Sequence, residues 1–267
     1  MRPEFPTRRK CPTQPEVQTR LLIAIPVYNE KKYVAGVLEK VKQYHSDLLI
    51  VDDGSTDGTG EILQALAARG EIHLISKPTN QGYGQSLIDA FKFAAAHGYD
   101  WVITMDCDEQ HEPEMIPEFL LQIRRNDADI ISGSRYLQMD NGDSPPKDRR
   151  QINLKLTAII NDLFGLNLTD AFCGFKAHRV SAMQRLCLDE PGYAFPMQLW
   201  PQAAEAGLVI REIPVRLIYK DLNRYFGGTL DDPDNRLRHY LGVLDSEVKR
   251  LARCKADRAL AIPCCCG

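Results

Sequence analysis

Short apolar runs alternate with amphipathic stretches through the first half of the chain, and this alternation limits the folds open to it. The apolar runs are rich in aliphatic and β-branched residues and predict β-strands at 21–26, 47–51, 71–76, 99–104 and 128–134. Between them, apolar residues recur at helical spacing, as Val34, Val37, Leu38 and Val41 do. Strands that alternate with helices form a mostly parallel sheet covered by helices on both faces. We therefore predict a protein of the α/β class.

Polar residues stand at the ends of three predicted strands. Residues 26–30 close the first strand, the pair Asp52 and Asp53 closes the second, and the segment 105–111 follows the fourth. In open α/β sheets, ligands bind beyond the carboxyl ends of the strands. The sequence therefore predicts one polar site, built by these three segments at a single edge of the sheet.

The segment 105–111 has the composition of a cation site. Asp106, Asp108 and Gln110 alternate along it, and alternate residues of an extended chain point to the same face. Carboxylate and amide oxygens suit Mg²⁺ or Mn²⁺, whose octahedral shells are completed by water and phosphate. An isolated Asp-x-Asp is also common in ordinary turns, but the polar residues at the other strand ends favour a metal site here.

Several function classes lack support in this sequence. It contains neither Gly-x-Gly-x-x-Gly nor a Gly-Lys-Ser/Thr phosphate loop, which disfavours dehydrogenases and P-loop NTPases. Any phosphates are then expected to be held by a cation. The formal net charge of −3 provides no general basic field, so we expect no nucleic-acid partner.

Four motifs occur in an order and spacing that resemble a known family. They are Pro26-Val27-Tyr28-Asn29-Glu30, Val51-Asp52-Asp53-Gly54-Ser55-Thr56-Asp57, Asn80-Gln81-Gly82 and Asp106-Cys107-Asp108-Glu109-Gln110-His111. Together they resemble the inverting family 2 glycosyltransferases, which have the Rossmann-like GT-A fold. Gln110-His111, Gly133-Ser134-Arg135-Tyr136 and Asp170-Ala171-Phe172-Cys173-Gly174-Phe175-Lys176 are similar to the branch that glycosylates polyprenol (dolichyl) phosphate.

The resemblance implies roles for individual residues. It implies nucleoside contacts for Pro26, Tyr28, Glu30 and Asp53, and contacts to the nucleotide sugar for Asp106, Cys107, Asp108 and Arg135. It implies Mg²⁺ or Mn²⁺ at Asp106, Asp108 and Gln110. Catalytic roles fall on Asp108, Arg135, Lys220 and Arg224. Arg135 would face the sugar donor or the acceptor phosphate. Lys220 and Arg224 either belong to a basic loop that closes over the diphosphate or are solvated loop charges. The spacing in this loop is one residue shorter than in the polyprenol phosphate branch.

The implied reaction moves a hexose from a GDP-mannose or UDP-glucose type donor to a polyprenyl phosphate. Members with hydroxyl acceptors usually carry an Asp in the segment matching 193–200, and many lipid-phosphate members carry a Glu where Gln198 falls; this chain has neither. A phosphate acceptor is already an anion and needs no general base. The missing carboxylates therefore favour a phosphate acceptor over a hydroxyl acceptor. Asp170 either serves as a base or caps a turn.

Two other functions remain open at the level of sequence. A GT-A enzyme of this kind could glycosylate a hydroxyl of a glycan, a lipid or a small molecule. The chain could also be a non-catalytic subunit that binds nucleotide sugars.

The predicted organisation has four parts. Residues 1–19 form a disordered, Pro-rich basic tail, 20–230 the GT-A domain, 231–258 a charged C-terminal helix and 259–267 a Cys-rich tail. The C-terminal helix packs either on the domain or on a partner, as in a homo-oligomer or an anchored complex. The cysteines Cys264, Cys265 and Cys266 are either lipidated, bound to a soft metal or without a role.

The expected location is cytoplasmic, either free or peripheral on the cytoplasmic face of a membrane. No apolar run approaches the ~20 residues that cross a bilayer. An amphipathic helix at 152–166 either lies in a membrane interface or packs in the core. The cations before it, Lys147, Arg149 and Arg150, meet anionic headgroups, the acceptor phosphate or solvent.

Overall fold

Seven strands form one mixed sheet in the computed structural model, which describes residues 19–107, 112–137, 146–216, 218 and 227–259. The strands are β1 (Leu21–Val27), β2 (Leu48–Asp52), β3 (His73–Ser76), β4 (Trp101–Thr104), β5 (Ile130–Ser134), β6 (Lys176–Arg179) and β7 (Ile210–Pro214). Their order across the sheet is β3-β2-β1-β4-β6-β5-β7. β6 runs antiparallel to β4 and β5, and all other neighbours are parallel. The predicted mostly parallel sheet is confirmed.

The described residues contain eight α-helices. They are α1 (Val34–Lys42), α2 (Thr59–Ala68), α3 (Tyr83–Ala96), α4 (Ile116–Arg125), α5 (Lys147–Phe164), α6 (Val180–Met183), α7 (Pro196–Glu205) and α8 (Pro233–Ala259). Two 3₁₀ turns, Pro113–Met115 and Gly228–Asp231, precede α4 and α8.

Alternate residues of the central strands supply two hydrophobic cores, one on each face of the sheet. Leu22 of β1 points into the core that contains α3, α5, α7 and α8, whereas its neighbour Ile23 points into the core under α1, α2 and α4. Both residues are fully buried. Helices therefore cover both faces of the sheet, as predicted.

The parallel register brings the strand ends together. Val27 of β1 lies opposite Asp52 of β2, and Ala24 lies opposite Thr104 of β4. Because β1, β2 and β4 are parallel neighbours, the segments that follow them emerge at one edge of the sheet. This register places the three polar segments side by side.

The amphipathic helix α5 uses its apolar stripe in the core. Ile152, Leu156 and Ile160 are buried, while Leu154 and Leu163 on the same helix are exposed. Of the two predicted fates for this stripe, packing in the core is the one found. None of the helices in the described ranges has the length and apolar composition needed to cross a bilayer.

The helix α8 packs on the same domain as α5 and α7. Tyr240 and Leu244 are buried in the core that α3, α5 and α7 share. Arg236, near its start, is 3% exposed and pairs with Asp148 of α5 at 2.6 Å. The C-terminal helix is therefore part of the structure that surrounds the sheet edge described below.

Candidate active site

A cavity of about 520 Å³ opens at the carboxyl ends of β1, β2 and β4. Seven residues expected at the donor site line it: Pro26, Tyr28, Glu30, Asp53, Asp106, Cys107 and Arg135. The structure thus brings together residues from four separate segments of the chain. The other predicted site residues, Asp108, Gln110, Lys220 and Arg224, lie outside the described residues.

The loops after β1 and β2 are fastened to each other. The backbone N–H of Asn29 donates to Ser55 Oγ at 2.9 Å, and the N–H of Thr56 donates to Asn29 Oδ1 at 2.8 Å. Asn29 adopts a left-handed backbone with φ of 57°, a conformation that Asn tolerates better than most residues. Tyr28 beside this turn is 46% exposed and lines the cavity.

Asp53 anchors the loop that begins α3. Its carboxylate accepts from the N–H groups of Gln81 and Gly82 at 2.9 and 2.8 Å. The ammonium of Lys77, whose side chain is only 5% exposed, lies 3.1 Å from Asp53 Oδ1 and 3.1 Å from Asp89 Oδ2. A ligand that contacts Asp53 therefore meets a carboxylate already fixed by the loop and by Lys77.

Asp106 is held by a tyrosine that no motif indicated. The hydroxyl of Tyr83 donates to Asp106 Oδ1 at 2.9 Å, and its ring stacks on Tyr193 with centroids 5.7 Å apart. Burial and the adjacent charge of Asp106 raise the pKa of Tyr83 well above its ordinary value. The phenol therefore stays protonated and remains a donor.

The oxygen chemistry of Asp106 fits Mg²⁺ or Mn²⁺. Such cations are often bound by only one or two carboxylates together with substrate phosphates. Within the described ranges no group of three His, Cys, Asp or Glu side chains forms a cation cage. A site that Asp106 shares with the diphosphate of a ligand fits this arrangement, and the other two predicted ligands, Asp108 and Gln110, lie outside those ranges.

Arg135 and Asp170 form a buried ion pair beside the cavity. Asp170 is fully buried and also accepts from the Asn153 amide at 2.8 Å and the Phe172 N–H at 3.1 Å. Burial alone would raise its pKa, but the charge and hydrogen bonds of Arg135 outweigh burial and hold the pKa well below its usual range. Such a carboxylate is a poor proton acceptor. Of the two roles predicted for Asp170, the structure favours the structural one.

Gln198 is a structural brace in α7. Its Oε1 accepts from the N–H groups of Asp189 and Glu190 at 2.7 and 2.9 Å. Its Nε2 donates to Asp189 Oδ1 at 2.5 Å and lies 3.4 Å from Glu247 Oε2 of α8. The amide therefore ties the chain before α7 to α8, and it does not line the cavity.

Aromatic and basic residues also line the cavity. Of these, Tyr136 and Phe172 belong to motifs quoted above, whereas Tyr193, Arg236 and Tyr240 were indicated by no motif. Phe172 and Tyr240 are in ring contact at 5.3 Å. Arg149, from the basic cluster noted before α5, also lines the cavity. Tyr193 and Tyr240 come from segments without a motif, so only the tertiary structure identifies them as cavity residues.

Comparison with known proteins agrees with this geometry. Residues 22–187 match the family described as Glycosyl transferase family 2. The undecaprenyl-phosphate mannosyltransferase of Micrococcus luteus is 32% identical over 209 residues, which are 76% of this chain and 85% of that protein. The polyprenol monophosphomannose synthase of Mycolicibacterium smegmatis is 29% identical over 76% of this chain and 79% of that protein. The resemblance to the polyprenol phosphate branch is confirmed.

Solved structures share the fold. Glucosyl-3-phosphoglycerate synthase from Mycobacterium tuberculosis, in complex with phosphoglyceric acid, gives a TM-score of 0.67 at 19% identity over 87% of this chain and 81% of that one. Its complex with Mn²⁺, UDP and glucosyl-3-phosphoglycerate gives a TM-score of 0.66 at 19% identity, over 90% of this chain and 86% of that one. The predicted GT-A fold is confirmed by these similarities. The chain belongs to Glycosyl transferase family 2 and is a glycosyltransferase.

Proposed function

We propose that the protein moves a hexose from a nucleoside-diphosphate sugar to a polyprenyl phosphate, with inversion at the anomeric carbon. One observation carries the proposal: a single cavity joins Asp106 at the end of β4 to a basic and aromatic wall from α5 and α8. A carboxylate side suits a metal-bound diphosphate, and a cationic, aromatic side suits an anionic, apolar acceptor. The names of the two curated relatives support the same acceptor class.

On the donor side, Tyr28, Glu30 and Asp53 would contact the nucleoside. Asp106, with Asp108 and Gln110, would hold Mg²⁺ or Mn²⁺. When bound, this cation neutralises the charge that develops on the nucleoside diphosphate leaving group. Lys220 and Arg224 would add positive charge at the same phosphates. Mg²⁺ and Mn²⁺ both remain candidates, as do GDP-mannose and UDP-glucose.

On the acceptor side, the absence of a suitable base favours a phosphate nucleophile. Among the described residues that line the cavity, the acidic side chains are Glu30, Asp53 and Asp106, all on the donor side. Asp170 is committed to Arg135. A phosphate oxygen is anionic at neutral pH and attacks without giving up a proton, whereas an alcohol needs a general base. Arg149 and Arg135 would orient this phosphate.

A polyprenyl acceptor requires access to a membrane surface. Leu154 and Lys155 are exposed on α5, close in sequence to the cavity residues Arg149 and Ile152. An exposed apolar residue flanked by cations suits the interface of a bilayer with anionic lipids. We propose peripheral attachment at a cytoplasmic membrane face, with or without an anchoring partner.

Calorimetry with a panel of GDP- and UDP-sugars, each with Mn²⁺ and with EDTA, tests the donor half. We expect one donor to bind much more tightly with Mn²⁺ than in EDTA. Asp106→Asn and Asp108→Ala should abolish that metal-dependent binding while the protein stays folded. Asp100→Asn, a matched change at the opposite end of β4, should leave it intact. Binding of no donor by the wild-type protein would contradict the proposal.

Transfer assays with labelled donor test the acceptor half. Polyprenyl phosphate should accept the sugar, and the matching polyprenol without phosphate should not. Transfer to the alcohol at a similar rate would support a hydroxyl acceptor instead. Metal-dependent donor binding without transfer to either acceptor would support a binding subunit.

A further inference from the structure

The side chain of Asp106 has one oxygen committed inside the protein. Its Oδ1 accepts the hydroxyl hydrogen of Tyr83 at 2.9 Å. Asp106 lies just beyond β4 on the cavity wall, and Tyr83 is the first residue of α3. The start of α3 and the end of β4 therefore meet at the carboxylate expected to hold the cation.

The Asp106–Tyr83 pair is also packed against the backbone of Gly174. A Cβ added to Gly174 would lie 2.6 Å from Asp106 Oδ2 and 2.8 Å from the Tyr83 hydroxyl oxygen. Real Cβ atoms do not approach other atoms so closely, so glycine at position 174 makes room for the pair. The carboxylate is thus confined between a tyrosine hydroxyl and a glycine.

Tyr83 is itself held in place. Its ring stacks on Tyr193 with an interplanar angle of 16°. The first turn of α3 is bound to the segment before α7, because the Gln85 N–H donates to the Pro191 carbonyl at 3.0 Å. The N–H of Gly82 is held by Asp53. The hydroxyl of Tyr83 therefore has a fixed position relative to the end of β4.

We propose that Tyr83 is a positioning residue that holds Asp106 in the orientation that binds the cation, with Gly174 as the opposing wall. A carboxylate fixed in advance loses less side-chain freedom when it binds a metal. Second-layer partners of this kind orient metal ligands in other proteins. This inference rests on the proposed function, because it needs a cation at Asp106.

Tyr83→Phe tests the proposal by removing one oxygen and keeping the ring that stacks on Tyr193. We expect Mn²⁺ affinity to fall by about 10-fold to 100-fold, the usual cost of losing such a partner. Electron paramagnetic resonance of free Mn²⁺ measures this affinity in the presence of saturating GDP or UDP, whichever the wild-type protein binds. Nucleotide binding in EDTA should stay unchanged.

The control is Tyr99→Phe, the same change at a buried tyrosine beside the amino end of β4. Like Tyr83→Phe, this change removes one oxygen from a tyrosine of the same hydrophobic core and keeps its ring. Tyr99→Phe should keep wild-type Mn²⁺ affinity. An equal loss in both variants would mean that the effect is general destabilisation, and would overturn the proposal.

Gly174→Ala disturbs the same carboxylate from the other side. It keeps the proposal testable if Tyr83→Phe does not fold. It should also weaken Mn²⁺ binding, with nucleotide binding in EDTA retained. Wild-type Mn²⁺ affinity in whichever of these variants folds would overturn the inference and leave the proposed function standing. No metal-dependent nucleotide binding by the wild-type protein would overturn both.

Discussion

The guanidinium of Arg135 donates two hydrogen bonds to the carboxylate of Asp170, from Nε to Oδ2 at 2.6 Å and from Nη2 to Oδ1 at 2.9 Å. The Asp170 side chain is 0% exposed and that of Arg135 is 16% exposed. A paired, buried arginine on a cavity wall is fixed in position, so its remaining surface is presented to a ligand in one orientation. The pair therefore links the stability of the fold to the geometry of the cavity wall.

Asp170→Asn should destabilise the protein strongly. The substitution keeps the shape of the side chain but leaves the Arg135 charge buried without its counterion, which costs about 3–5 kcal/mol in comparable pairs. Urea unfolding at pH 7 measures the loss. Asp245→Asn breaks the exposed ion pair with Lys249 and should leave the midpoint unchanged. Equal midpoints for wild type and Asp170→Asn would contradict an ionised Asp170.

Arg135→Ala should lower turnover far more than nucleotide affinity. Arg135 lies on the cavity wall with Tyr136 and Arg149, whereas the nucleoside contacts are expected at the ends of β1 and β2. We expect kcat to fall by about 100-fold or more, as when a charged group at the reacting phosphate is removed, with nucleoside diphosphate affinity nearly unchanged. Steady-state kinetics and calorimetry provide the two values.

Arg135→Lys separates charge from geometry in that experiment. It keeps the positive charge but loses the planar fork that holds Asp170. Partial recovery of turnover would assign the effect to charge. If nucleoside diphosphate affinity in Arg135→Ala falls as much as turnover, Arg135 does not face the sugar or the acceptor.

The sequence predicted β1, β2, β4 and β5 because their runs are buried on both faces. β1 illustrates this, since Leu22, Ile23 and Ala24 in succession have no exposed surface. A continuous apolar run is the pattern of a central parallel strand. β3, at the edge of the sheet, was also predicted, although its residues are exposed or only partly buried. The meeting of the residues that follow β1, β2 and β4 at one cavity was also predictable, because parallel strands bring their carboxyl ends to one edge whatever the detailed packing.

β6 could not be predicted because its side chains are basic. Lys176, His178 and Arg179 look like a solvated segment, yet Lys176 and His178 are buried. Each of the three lies on an aromatic ring: Lys176 over Trp200 at 5.5 Å, His178 against Phe91 at 4.9 Å and Arg179 over Trp101 at 4.7 Å. Those rings come from other elements, so no local pattern reveals the pairing.

The cavity positions of Tyr193 and Tyr240 could not be predicted for a related reason. Tyr193 and Tyr240 lie beyond the residues that match the family, in segments that the motifs do not reach. Their positions depend on how α7 and α8 pack on the sheet, which is a tertiary property. The Tyr83 hydrogen bond to Asp106 is likewise visible only once α3 and β4 are placed together.

His178 should make stability depend on pH between about 6.5 and about 3. Burial, with Lys176 nearby, lowers the pKa of His178 from 6.5 to about 3 in the folded protein. In that window the unfolded chain binds a proton that the folded protein does not, so stability falls as pH falls, by about 1.4 kcal/mol per pH unit.

His178→Leu isolates this contribution, because leucine fills the site and does not titrate. Urea unfolding of both proteins at pH 7.5, 6, 5 and 4.5 measures it. The free energy of unfolding of the variant, relative to that of the wild type, should increase as pH falls below 6.5. A constant difference across these pH values would show that His178 titrates alike in both states.

Gly84→Ala should loosen the first turn of α3 and, with it, the donor site. A Cβ at Gly84 would lie 2.8 Å from the Gly192 carbonyl oxygen and closer still to that of Glu190. Both contacts are backbone atoms that cannot rotate away, so α3 or the segment before α7 must shift, at a cost of about 1–3 kcal/mol.

Gly36→Ala is the matched control for that substitution. Gly36 is an exposed residue within α1, and a Cβ there would meet nothing within 4 Å. Alanine should stabilise the protein by about 0.5–1 kcal/mol there, through its helix propensity. If Gly84→Ala destabilises the protein and Gly36→Ala stabilises it, the close approach of Gly84 to residues 190–192 fixes α3.

Because Tyr83 precedes Gly84, the shift caused by Gly84→Ala should also weaken metal-dependent nucleotide binding, which calorimetry at matched temperatures measures. Stabilisation by Gly84→Ala would show that this approach is not maintained in solution.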